Sequence, residues 1–148
     1  MMNILKKVVV ALGGVDTSEK NHVDTFTENI ITKITGDKIA LTSNGGGIWT
    51  EIAEIEEYEF LDIYVVGFKP YKSFNGAELI FIKDRKEVAV LNSDTKEIVS
   101  THSNVTERYL TSVSFEITNK NLDFLFDREC HKVIFKCNNK QEEFEILK

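Results

Sequence analysis

The chain has 148 residues, of which 42% are hydrophobic and 28% charged, and it carries a formal net charge of −6. This length suits one domain, 1–148, that buries roughly 68–70% of its unfolded surface without a metal or disulfide staple, and the composition excludes intrinsic disorder. The acidic balance, with no basic run longer than Lys6-Lys7, excludes nucleic acid and anionic membrane surfaces as expected partners, and no stretch approaches the roughly 18 consecutive apolar residues of a transmembrane helix.

Along the chain, Ile4, Leu5, Val8, Val9 and Leu12 follow helical spacing and Gly13-Gly14 supplies a stop, so residues 3–12 read as a short N-terminal helix. The β-branched run Val8-Val9-Val10 keeps a strand as the rival. Lys6-Lys7 followed by an apolar run imitates a signal peptide, but the run is short and Asp16 and Glu19 follow at once, so the segment reads as structural and the protein as cytoplasmic. Residues 29–43, NIITKITGDKIALTS, carry two β-branched runs around Gly36-Asp37 and read as a hairpin. After Gly45-Gly46-Gly47, the residues Trp49, Ile52, Ala53 and Ile55 fit either a helical turn or the start of a strand.

The stretch YEFLDIYVVGF is apolar on both parities, as a central strand would be, and Pro70 follows it. ELIFIKDRKEVAVLN reads as two strands around Asp84-Arg85, with KEIVSTHS as a third strand of a meander. The remainder reads as a strand (TSVSFEI), a helix near residues 119–129 and a final hairpin (HKVIFKCNNKQEEFEIL). The expected fold is therefore mainly β (α+β): an antiparallel sandwich or partly open barrel of about nine strands with two short helices.

The chemistry-bearing residues form no recognisable motif. Gly45-Gly46-Gly47 lacks the Lys and Ser or Thr of a phosphate-binding loop, since Ile48 and Trp49 follow it. His22, His102, His131, Cys130 and Cys137 never fall at paired metal-ligand spacing, so no metal and no cofactor is expected. If the residues between Cys130 and Cys137 form a strand, the two lie about 23 Å apart, beyond the roughly 7 Å limit for a disulfide, which makes both thiols free. Cys130 and His131 would point to opposite faces, and His102, in a run of hydroxyl residues, reads as a polar loop residue.

The segment Glu51–Asp62 stands out. Its six acids, Glu51, Glu54, Glu56, Glu57, Glu59 and Asp62, have no base among them, and removing them leaves 18 acids against 18 bases in the whole chain. Together with Trp49 and Tyr58 they form an acidic, aromatic surface suited to a basic protein partner. The leading expectation is a non-enzymatic protein-binding or inhibitory domain. The alternatives are a carrier of a small apolar ligand with a β-barrel cavity and an enzyme whose site is assembled from distant residues.

Overall fold

The computed structural model describes residues 25–118, 120, 122 and 130–147. Among the described residues the chain forms one helix, α1 (Phe26–Thr32), and eleven strands: β1 (Asp37–Leu41), β2 (Gly47–Ile55), β3 (Tyr58–Gly67), β4 (Lys72–Ser73), β5 (Ala77–Lys83), β6 (Lys86–Asn92), β7 (Ile98–Val99), β8 (Thr101–His102), β9 (Tyr109–Glu116), β10 (Lys132–Cys137) and β11 (Lys140–Ile146). Nine strands make one sheet in the order β6-β5-β10-β11-β1-β2-β3-β9-β8, and β4 pairs with β7 in a separate ribbon. Every pairing is antiparallel.

The sheet is rolled. Asp94, two residues beyond β6, donates its backbone N–H to the carbonyl of Ser114 on β9 at 2.8 Å. In a flat sheet these strands would lie seven intervals, about 34 Å, apart, whereas two residues reach about 7 Å. The sheet must therefore curl until its ends nearly meet. It stays open, since the segment at Asp94–Thr95 covers the free edge of β9 without extending a full strand. The expected partly open barrel is thus the form adopted.

Alternation along the strands fills the interior. Leu61, Ile63 and Val65 of β3, Leu79 and Phe81 of β5, Val133, Phe135 and Cys137 of β10, Val113 and Phe115 of β9, and Phe144 of β11 belong to one buried cluster. The β4–β7 ribbon is fastened to it by Tyr71, whose ring meets Phe135 edge-on at 4.9 Å. The Tyr71 hydroxyl donates to Glu142 Oε1 at 2.7 Å. Burial first, and then the bond to Glu142 and its charge, push this phenol far above its ordinary range. Gly67 makes room for the same carboxylate, since a Cβ there would lie 2.5 Å from Glu142 Oε2.

The hairpin expected around Gly36-Asp37 is not formed. Its second arm is β1, but its first arm is helix: Ile30, Ile31 and Ile34 fall at helical spacing and pack on the outside of the barrel against Trp49, Tyr64, Val66 and Leu110. The gain from covering that apolar patch overrides the β preference of isoleucine. The meander is also broken: Ile98–Val99 pairs with β4 and Thr101–His102 with β9, so neither extends β6. Ser100 causes the break by bonding both ways to Tyr71, its N–H to the Tyr71 carbonyl and its Oγ from the Tyr71 N–H. Residues 3–12 and, apart from Lys120 and Leu122, the helix expected at 119–129 lie outside the described residues.

The hairpins β5–β6 and β10–β11 form where expected. The two turn residues of the first, Asp84 and Arg85, both have positive φ, 51° and 67°, the conformation that favours Asn or Asp followed by Gly. Arginine sits there at a cost of about 1 kcal/mol. Arg85→Gly is therefore expected to raise the melting temperature by about 2–4 °C, read by circular dichroism; a lower value would show that the Arg85 side chain contributes more than its backbone costs.

Candidate functional site

The acidic segment is the β2–β3 hairpin. Alternating apolar residues pair its two strands from Gly47↔Val66 to Ile55↔Tyr58, and the turn falls at Glu56-Glu57, with Glu56 at φ 57°. On the outer side the register sets Trp49 beside Tyr64, Glu51 beside Asp62, Ala53 beside Phe60 and Ile55 beside Tyr58. On the core side Ile52 faces Leu61 and Glu54 faces Glu59. Leu61 is fully buried while Ile52 is 47% exposed, so the hairpin runs out past the rim of the barrel between these positions. Its end presents Ile52, Ile55 and Tyr58 to solvent, with Ile55 60% exposed.

Two like-charged pairs, Glu51↔Asp62 and Glu54↔Glu59, thus sit directly opposite each other, an arrangement that destabilises a hairpin by roughly 0.2–1 kcal/mol each. Among the described residues only two of the carboxylates are held: Glu51 Oε1 accepts from Thr35 Oγ1 at 2.8 Å and Asp62 Oδ1 from Ser114 Oγ at 2.8 Å. Among the described residues, no ion pair involves any of the six acids.

The structure gathers Glu54, Glu56, Glu57, Glu59 and Tyr58 at the tip and places Glu51 and Asp62 further back on the outer face. Trp49 is drawn away from them. Half-buried, it lies against the α1 cluster with Lys38 Nζ 4.9 Å above its ring. Glu116, which the sequence reading missed, joins the outer face because β9 sets it beside Phe60. Its only signal was the outward parity of Glu116 in TSVSFEI, which does not reveal β3 as the neighbour. A shallow depression of about 140 Å³ lies behind these acids, lined by Asp62, Tyr64, Thr95, Ser112 and Ser114. Burial, then the charges of Glu51 and Asp62, raise the Tyr64 phenol, which keeps it a neutral donor.

The other candidates are accounted for locally. His102 Nε2 lies 2.7 Å from Glu107 Oε2 and its ring packs on Tyr109 at 4.8 Å. The neighbouring hydroxyls are committed elsewhere, Ser103 to Glu28 and Ser100 to Tyr71 and Thr111. Cys130 and Cys137 are buried and form no disulfide; burial raises the Cys137 thiol, against a bond from Ser73 that lowers it. The Gly46 N–H is taken by Thr42 Oγ1 at 2.8 Å and the Gly45 carbonyl by Arg108 at 2.9 Å, so the glycine loop spends these groups on its own structure. Among the described residues no three His, Cys, Asp or Glu side chains converge on a metal position, and no helix is long and apolar enough to cross a membrane. No protein-family model, no curated protein and no solved structure matches this chain.

Proposed function

We propose that the protein is a non-enzymatic binding domain that docks a basic protein, and inhibits it by occupancy, through the projecting end of the β2–β3 hairpin. The observation that carries this reading is the tip itself: exposed Ile55 and Tyr58 side by side on one face, Glu54 and Glu59 opposed on the other and Glu56-Glu57 in the turn, with no cation paired to these acids among the described residues. An apolar centre with a charged rim is the anatomy of a protein interface. The opposed acid pairs cost the isolated protein stability, a cost that a cationic partner would reverse. Two buried thiols that form no disulfide suit a reducing, cytoplasmic setting. A carrier of apolar ligands would need interior space, and among the described residues the full burial of Phe81, Phe115, Phe135 and Phe144 favours the binding reading over it.

The test replaces Glu54, Glu56, Glu57 and Glu59 with Gln and measures association with a partner captured from the native host. The variant should keep or slightly raise its melting temperature, because repulsion is removed. Its association rate should fall about tenfold at low salt, with the difference fading near 0.5 M as screening shortens the field to a few ångströms. Equal association rates at both salt levels would overturn electrostatic docking.

A further inference from the structure

Beside the turn from β10 into β11, the loops before β5 and after β6 frame a second depression of about 310 Å³. Its walls include Ser73, Asn75, Glu78, Asn92, Lys96 and Lys136. It shares no lining residue with the depression behind the acidic hairpin, and it carries two lysines. Strand register puts Lys136, Glu78 and Asn92 in one row across β10, β5 and β6.

The backbone around this depression is locked before any ligand arrives. Gly76, at φ +86°, donates its N–H to the Lys96 carbonyl at 2.9 Å. The Ala77 N–H donates to Ser93 Oγ at 2.8 Å, and that hydroxyl donates to the Thr95 carbonyl at 2.7 Å. Lys96 Nζ is held near the Ser93 carbonyl at 3.3 Å, and Asn138 Nδ2 donates to the Lys72 carbonyl at 3.3 Å. By contrast, the side chains of Lys136, Glu78, Asn75 and Asn92 make no hydrogen bond or ion pair with any described residue. A hydrogen-bonded backbone thus carries a group of uncommitted, mostly exposed polar side chains that are open to a ligand.

The mixture of those groups identifies the ligand class. A bare anion calls for donors alone, and the Glu78 carboxylate would repel it. A neutral polyol gives no use to two ammonium groups. A ligand with one anionic group and several hydroxyls uses all of them: Lys96 and Lys136 as point charges on a phosphate, and Glu78 and the two asparagine amides as acceptors and donors for hydroxyls. The volume lies at the small end of the range of about 300–1,000 Å³ for small-molecule sites, the size of one sugar ring and its phosphate. We infer that this depression binds a phosphorylated monosaccharide.

The experiment is a nuclear magnetic resonance titration of the full chain with glucose 6-phosphate, glucose and inorganic phosphate in parallel. Glucose 6-phosphate should shift the side-chain amides of Asn75 and Asn92 with millimolar or tighter affinity, at least about tenfold tighter than either fragment alone. Lys136→Gln, at an exposed position, should weaken it about tenfold without moving the melting temperature, and Lys96→Gln, which also gives up the bond to the Ser93 carbonyl, should weaken it by a similar factor with a small drop in melting temperature. Glu78→Gln should remove the advantage over inorganic phosphate. Absence of shifts at these amides up to about 10 mM, or equal affinity in the lysine variants, would overturn the assignment whatever the hairpin variants show.

Discussion

Ile63→Asp is expected to unfold the protein. Ile63 is fully buried at the centre of β3, between Thr50 of β2 and Val113 of β9. Losing its side chain costs about 2–5 kcal/mol, and placing an unpaired carboxylate there adds several more unless the group takes up a proton. The sum is comparable to the whole stability of a domain this size, about 5–15 kcal/mol. The matched control is Val88→Asp, at a 50% exposed position on edge strand β6, which should melt close to wild type. Circular dichroism melts of both variants decide the matter: a cooperative, near-wild-type transition in Ile63→Asp would mean that β3 is not a central strand.

Arg108→Leu is expected to cost about 3 kcal/mol, or roughly 10 °C in melting temperature at this chain length. Arg108 and Glu28 keep only 19% and 12% of their side-chain surface exposed. The guanidinium reaches Glu28 Oε2 at 3.0 Å and the Gly45 carbonyl at 2.9 Å, and the Glu28 carboxylate also accepts from Thr106 at 2.7 Å and Ser103 at 3.0 Å. This cluster ties α1 to two loops, and removing the arginine strands a carboxylate. Adding Glu28→Gln should therefore restore more than half of the loss, whereas two independent defects would add.

The pH dependence provides a separate check. Burial works to raise the Glu28 carboxyl, but the bonds from Thr106, Ser103 and Arg108 and the arginine's charge hold it below its ordinary value of 4.5. A depressed acid contributes stability that is present above its unfolded value and lost as pH falls through the folded one. Wild type should lose this contribution in the acid range below about 4.5. In Arg108→Leu only burial and the two hydroxyls remain, so its deficit relative to wild type should narrow as the pH is lowered.

What the sequence disclosed was the identity of single elements. The run YEFLDIYVVGF, apolar on both parities, marks β3 as a central strand without saying which side faces the core, and the hairpins expected around Asp84-Arg85 and over HKVIFKCNNKQEEFEIL both form. Periodicity says which way a residue points, not which strand lies beside it. That is why Glu116 was missed as a neighbour of Phe60, and why the lysine and asparagine depression, made from four elements, left no linear trace. Helix α1 failed for a different reason: seven residues rich in Thr and Ile have little intrinsic helicity, and the surface that stabilises them comes from β2, β3 and β9.

The place of β10 and β11 in the sheet bears on how the chain folds as it leaves the ribosome. The pairs β5–β6 and β1–β2–β3–β9 are made of residues that precede 117, but they become one sheet only when the hairpin Lys132–Ile146 slots between β5 and β1. At roughly 5–20 residues per second of synthesis, two unjoined fragments with bare inner edges wait for that hairpin for some seconds, and exposed strand edges invite pairing with other chains. These two strands, made after the other strands described, are thus the keystone, and nascent chains stalled before them are in most need of a chaperone.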